Sequence, residues 1–490
     1  MTLRFALCLS LATAGSAARA NLLIRNVAIA SPERARASAP VSVHVGDDGR
    51  IAEIARRPSR RALRARHRID GGGRFLAPGL IDAHTHLDEI PGMIAEQEAR
   101  QPEAAAAARR QLPLSYLYHG FTTVIDLNGR PGPIAAWNAA PLRPQAYFCG
   151  GAPVFDGYPM SYLPRPLRYQ IMPYFLFDPA RADAFPAGFD PAAHSPEAVT
   201  ARMQSDGAIC VKTHYEPGFG GAGGLPVPDA TLIRRLAAAA HARRMPLLLH
   251  ANSQAAQAFG LEAGVDAFVH GIWKWEERGA AMPAGVAAVL DGVAARRLGW
   301  QPTFQVLYGE RDLFDPAFLS DPALAEVLPR SLIDWYATSD GQWWRTRMLG
   351  AAFIRADVEA GRWQRIDADA IERLAQALAY LARRDARLLF GSDTPSDPTY
   401  ANPPGLNGRR EMARWIAAGA TPMQLFRAAT IGNAEFFGLD REIGTIALGK
   451  RADLILLGRN PMTDATAYDS IEQVIVGGRA VPRGELSARR

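Results

Sequence analysis

Residues 78–86 read Pro78-Gly79-Leu80-Ile81-Asp82-Ala83-His84-Thr85-His86. An apolar run that opens after a Pro-Gly pair predicts a buried strand over 80–86. Alternate residues of a strand share a face, so His84 and His86 point the same way and form a chelating pair for a divalent metal. Working outward, the chain from about Phe75 to Phe437 alternates short apolar runs with long helical patterns. Further candidate strands are Thr122–Leu127, Gln145–Gly150, Ala208–His214, Pro246–His250, Ala267–His270, Trp300–Val306 and Arg387–Asp393. Such βα units, eight in all, are what a (β/α)8 TIM barrel requires. The segment exceeds the roughly 250 residues usual for that fold. The excess lies in a loop at 154–190 and an insertion at about 309–363.

The strand ends carry a pattern. The fifth ends Leu248-Leu249-His250, the sixth Phe268-Val269-His270 and the eighth Gly391-Ser392-Asp393. In a barrel these ends converge on one mouth, where four histidines and a carboxylate would suit Zn²⁺ and its neighbours.

The fourth strand ends Val211-Lys212-Thr213-His214. A protonated lysine repels metal ions, but a buried one loses its proton more easily, and the neutral amine reacts with CO2. The carbamate is an anion with two oxygens, able to bridge two metals. Composition strengthens the case. Of 55 basic residues only Lys212, Lys274 and Lys450 are lysines, in a chain that otherwise writes arginine. Arginine cannot form this anion, because its guanidinium stays charged.

The 490 residues are 48% hydrophobic and 21% charged, an ordinary globular composition that excludes disordered and fibrous classes. The net charge of +6 comes from scattered residues, which gives no case for nucleic acid or a membrane surface. At the start, Arg4, an apolar stretch from Phe5 to Ala12 and the small-x-small site Ala18-Arg19-Ala20 predict a signal peptide cleaved after Ala20. Export to the periplasm or beyond is the expectation. No run reaches the roughly 18 apolar residues of a membrane span. Cleavage also removes Cys8, and the remaining Cys149 and Cys210 are too few to staple a fold of this size. Whether they pair stays open. Short alternating runs at both ends, Asn21–Ala30 and Pro40–Ile54, then Ala452–Leu457 and Gln473–Arg479, predict one small β-sandwich shared by the two termini. The domains expected are therefore 21–74 with 438–490, and 75–437.

The run at 78–86, the later Ala428-Ala429-Thr430 and the ending Gly449-Lys450-Arg451-Ala452-Asp453-Leu454 resemble the amidohydrolase superfamily. The likeness extends from about residue 22 to 482. It is strongest toward the branch of imidazolonepropionase-like proteins and carbamylated-lysine prolidases. That resemblance implies a binuclear centre of two divalent metal ions, with Zn²⁺ the expected metal. His84 and His86 would bind the buried metal, and His250 and His270 the exposed one. Carbamylated Lys212 would bridge them. Asp393 would ligate the buried ion and shuttle protons, so that Asp393, Lys212 and His270 are the catalytic candidates. It implies hydrolysis of an amide, ester or lactone carbonyl by hydroxide shared between the ions, on an N-acyl amino acid, a dipeptide or another apolar amide.

Departures and open roles bound this reading. Deaminases of the superfamily carry Glu three residues after the fifth-strand histidine, where this chain has Ser253. A mononuclear deaminase or cyclic-amide hydrolase is the alternative, and a catalytically silent binding protein a third. His214 is a support behind the ligands, a competing ligand or a substrate contact. Lys274, between Trp273 and Trp275, is a pocket wall or a capped surface. The other five histidines are surface or packing residues. Five of nine tryptophans fall in strand seven and the insertion, and Tyr158 and Tyr162 in the long loop. These side chains form an aromatic lid or merely pack. Tyr158, Trp343 and Arg409 are the remaining candidates for substrate contact, Arg409 with Arg410 as a carboxylate clamp. The partner expected is a small-molecule substrate, with homo-oligomerisation left open.

Overall fold

The computed structural model describes residues 21–219, 223–277, 279 and 281–490. The predicted signal peptide lies outside the described residues.

The strands are β1 Leu22–Ile29, β2 Val41–Val45, β3 Ile51–Ala55, β4 His67–Asp70, β5 Phe75–Pro78, β6 Leu80–Thr85, β7 Phe121–Asp126 and β8 Gln145–Gly151. They continue as β9 Cys210–His214, β10 Leu247–His250, β11 Ala267–Val269, β12 Gly299–Gln301, β13 Leu454–Leu457, β14 Ile471–Val476 and β15 Arg479–Pro482. One sheet runs β15-β14-β13-β5-β1-β2-β3, with β4 beside β1. Both chain ends build it. β1 changes partner halfway: Leu22–Arg25 pair with β4, whereas Ala28 and Ile29 pair with β5. Its alternating apolar residues, among them Ile24, Val43, Leu76, Leu454 and Ile475, share a buried cluster.

The chain passes from this sheet to the next through Gly79. A Cβ there would lie 2.1 Å from Thr122 Oγ1, so only glycine allows so close a crossing. The second sheet is parallel and curled, in the order β12-β11-β10-β9-β8-β7-β6. Helices between its strands follow from apolar spacing and caps. Over Ala230–His241, Leu232, Ile233, Leu236 and Ala240 are buried on one stripe, and the Asp229 side chain accepts from Leu232 N.

The eighth candidate strand behaves differently from the other seven. Residues 387–394 make only isolated bridges, but to both edges. Leu389 N donates to Trp300 O at 3.0 Å, and on the other side Ala83 N donates to Phe390 O at 3.2 Å and His86 N to Thr394 O at 2.8 Å. The seventh strand stops at Gln301 rather than continuing to Val306. Pro302 has no N–H to extend the ladder, and Thr303 takes φ +54°. Glu411 then accepts from Phe304 N and Gln305 N at 3.1 and 2.8 Å, which starts the helix Phe304–Asp312.

The insertion is helical and has its own core. Trp335 and Tyr336 are buried there with Leu313, Leu332, Ile90 and Tyr400. Cys149 and Cys210, register partners on β8 and β9, form a disulfide.

Candidate metal centre

Strand ends β6, β9, β10 and β11 and the segment 387–394 deliver the predicted side chains to one place. His84 Nε2 and His86 Nε2 each lie 3.1 Å from Asp393 Oδ1. Lys212 Nζ is 3.1 Å from His84 Nε2. The His84 ring centroid is 5.2 Å from that of His270, which is 4.5 Å from that of His250. All six residues are therefore neighbours.

The backbone is held out of its ordinary regions to achieve this. His270 has φ +78° and Asp393 φ +53°, left-handed values that side chains rarely adopt. Surrounding bonds fix them. His270 Nδ1 pairs with Thr303 Oγ1 at 2.8 Å, which leaves the other ring nitrogen for a ligand. Asp82, fully buried, accepts from Ser392 N at 2.9 Å and Ser392 Oγ at 2.5 Å, tying the first strand to the eighth segment. Gly391 permits the same approach, since a Cβ there would meet His84 Cβ at 2.6 Å.

Burial sets the protonation. It brings Lys212 down to about 8, against the pull of Asp393 and Asp126. Burial also holds His84, His214 and His270 well below the usual imidazole value, and neighbouring positive charge adds to it. Asp393 goes the other way. Burial alone would raise it, but the His86 hydrogen bond and the charges of His270, His86 and Lys212 hold it at about 2. Desolvation works to lower His86, but the hydrogen bond to Asp393 and the charge of that carboxylate, with Asp126 adding to it, together push it up to about 9.

These groups fit divalent metal ions. His84, His270 and Asp393 offer ligand atoms within 4.8 Å of one another. His250 Nε2 is buried with no hydrogen-bond partner, the condition of a donor awaiting a ligand. Neutral imidazoles beside an anionic carboxylate are the donor set Zn²⁺ prefers.

The other candidate residues lie in different places. His214 is buried, its ring 5.7 Å from those of both His250 and Tyr158, and Tyr158 lies 4.8 Å from His250. Both line the centre. Trp343 is half-buried: its Nε1 donates to Gly92 O at 3.0 Å and its ring lies edge-on to that of Trp344. Trp335 is buried in the insertion's apolar cluster, and Trp344 and Trp363 pack against it. The guanidinium of Arg409 pairs with Asp469 at 2.8 and 2.7 Å, and Arg410 pairs with Asp321 at 2.7 Å.

Two groups escaped the sequence reading. Glu216, 2% exposed, places Oε2 3.7 Å from His250 Nε2, 2.8 Å from Asn252 Nδ2 and 3.3 Å from Lys274 Nζ. Asp126 sits 3.9 Å from His86 Nδ1 and accepts from Leu87 N at 2.9 Å. Asp126 ends β7 and Glu216 lies two residues past the end of β9, the one signal that could have marked them.

Comparison with known proteins now bears on this geometry. The model of the amidohydrolase family matches residues 365–481, the stretch that contains Gly391 and Asp393. Over that stretch the chain is similar to the amidohydrolase family. The chain is 37% identical over 98 residues to a dihydroorotase of Methanothermobacter thermautotrophicus, covering 20% of this chain and 19% of that protein. It is 28% identical over 193 residues to an adenine deaminase of Roseobacter denitrificans, covering 34% and 29%. The matched stretches thus span under a third of these relatives. Among solved structures, a Xaa-Pro dipeptidase with methionine in its active site aligns at TM-score 0.61 and 17% identity over 94% of this chain and 99% of that one.

Proposed function

We propose that this protein hydrolyses the amide carbonyl of an N-acyl amino acid, a dipeptide or a similar apolar amide, with two divalent ions, Zn²⁺ first among them. The observation that carries the reading is the convergence of His84 Nε2 and His86 Nε2 on Asp393 Oδ1, with Lys212 Nζ 3.1 Å from His84 Nε2 and the rings of His250 and His270 beside them. His84, His86 and Asp393 would hold one ion, His250 and His270 the other, and Lys212 as a carbamate would join them. Bound there, such ions supply an acidified water and a Lewis acid for the carbonyl.

The chain's own groups do the rest. Lys212, near 8, keeps a neutral fraction whose nitrogen adds to CO2 with loss of one proton. Asp393 Oδ1 is engaged by two imidazoles, so Oδ2 is the oxygen left to accept a proton and return it to the leaving nitrogen. Tyr158, protonated because burial raises its phenol, closes the His250 side against bulk water.

The mononuclear deaminase reading draws on the adenine deaminase match. It is the weaker one, because Ser253, in the place of the deaminase glutamate, caps the helix Gln254–Ala263 by accepting from Ala256 N. We read residues 387–394 as the eighth stave of a (β/α)8 barrel over 75–437, and the sheet of 21–74 and 438–490 as a β-sandwich. We also propose export after cleavage at Ala20, a reading supported by the disulfide, which an oxidising compartment favours. The deciding experiment combines metal analysis with a hydrolysis screen of reconstituted protein over amides, dipeptides, esters and lactones. Two ions per chain and amide turnover are expected. One ion with deamination, or turnover of nothing in the screen, overturns the proposal.

A further inference from the structure

Lys274 is the third lysine in an arginine-writing chain, and its surroundings single it out. Lys450 serves a turn, bonding Ile443 O and Thr445 Oγ1, and Lys212 belongs to the metal centre. Lys274 follows His270 by four residues and is fixed by backbone bonds, its N donating to Asn252 O at 3.1 Å and its O accepting from Gln254 N at 3.0 Å. These bonds lock the loops after β10 and β11, so the lysine rides on the same frame as His250 and His270.

Its tip is held and still open. Nζ lies 3.3 Å from Glu216 Oε2 and 4.1 Å above the Phe219 ring, while 39% of the side chain stays exposed. Glu216 is otherwise satisfied: Oε2 also accepts from Asn252 Nδ2 at 2.8 Å and Oε1 from Gly218 N at 3.0 Å. An ammonium carries three donors, and Glu216 takes one of them. An arginine here would spend its planar fork bidentately on Glu216, which explains why the chain keeps a lysine. The same Glu216 oxygen lies 3.7 Å from His250 Nε2, so the ammonium is no more than about 7 Å from that nitrogen. Phe219 and Tyr158, with ring centroids 5.3 Å apart, stand between as an apolar wall.

We propose that Lys274 recognises a free carboxylate on the substrate, one residue's length from the scissile bond, with that residue's apolar side chain against Tyr158 and Phe219. The reach fits, since a carboxylate three bonds beyond a scissile carbonyl carbon lies roughly 4–5 Å from it. The inference rests on the hydrolase reading and narrows its substrates to acylated amino acids and dipeptides with a free C-terminus.

The test pairs N-acetyl- and glycyl-L-phenylalanine with the same compounds carrying a C-terminal methylamide, on metal-loaded wild type, Lys274→Met and Lys274→Arg. Wild type is expected to favour the carboxylates by about 10- to 100-fold in kcat/KM, the range of a charge-assisted hydrogen bond. Lys274→Met, which keeps the stem on Phe219, should erase the preference through KM with kcat within about threefold, and Lys274→Arg should restore little of it. A preference that survives in Lys274→Met, or is absent from wild type, overturns the inference and leaves the hydrolase reading intact. Metal content that falls in Lys274→Met overturns it too, assigning the lysine to His250 through Glu216. If wild type cleaves no compound, the hydrolase reading fails. Calorimetric binding of N-acetyl-L-phenylalanine against its methylamide then decides the lysine on its own: tighter carboxylate binding lost in Lys274→Met supports it, and equal binding ends it.

Discussion

Lys212 should leave a pH signature on stability when the protein is stripped of metal and CO2. Its side chain is buried and its amine falls to about 8 in the fold, against 10.5 when free. Below pH 8 both folded and unfolded chains carry the proton, and this group adds no pH dependence. Between 8 and 10.5 the folded chain releases it while the unfolded chain keeps it, so stability rises with pH. A gap of that width corresponds to about 3 kcal/mol, gained by pH 10.5. The assay is urea unfolding of metal-free wild type and Lys212→Met at several pH values from 7 to 10.5. Taking the difference between the two removes titrations common to both. That difference should grow in favour of wild type by ~2–3 kcal/mol across the window. Adding Zn²⁺ and bicarbonate should flatten it, because a carbamate nitrogen no longer takes up that proton. A difference that stays level with pH in the stripped protein would refute the claim that Lys212 is a desolvated amine, and with it the reason given for its reactivity toward CO2.

Asp393→Asn should keep part of the metal yet lower kcat by about 10²- to 10⁴-fold; unchanged kcat in steady-state assays removes the proton-shuttle role. In Gly391→Ala the new methyl would meet His84 Cβ at 2.6 Å, and calorimetric metal titration should read a loss of at least about tenfold in affinity. Replacing Cys149 and Cys210 together by alanine opens a loop spanning 61 residues and should cost about 4 kcal/mol in denaturant unfolding; an unaltered midpoint would mean the bridge does not form.

What was legible in the chain was whatever depends on short-range period. His84, His86, Lys212, His250, His270 and Asp393 each end an apolar run, and a parallel sheet delivers all such ends to one side, so listing them amounts to locating the centre. Even the disulfide had a signal. Cys149 and Cys210 lie on strands three and four, which must be neighbours in this order, and they prove to be register partners. What stayed hidden depends on contacts no period encodes. Arg409 looked free to bind substrate because Asp469, which neutralises it, arrives 60 positions later from the other sheet. The seventh strand looked longer because Trp300–Val306 is mostly apolar, yet the carboxylate that turns its second half into a helix belongs to Glu411. Glu216 was missed for the opposite reason: Tyr215-Glu216-Pro217-Gly218 has the composition of a surface turn. A buried carboxylate in such a turn persists only where cations and donors surround it, and here they are Lys274, Asn252 and the backbone N–H of Gly218. A turn-like acidic residue shortly after a ligand-bearing strand is therefore a better sign of the site's outer supports than the aromatic residues of the insertion.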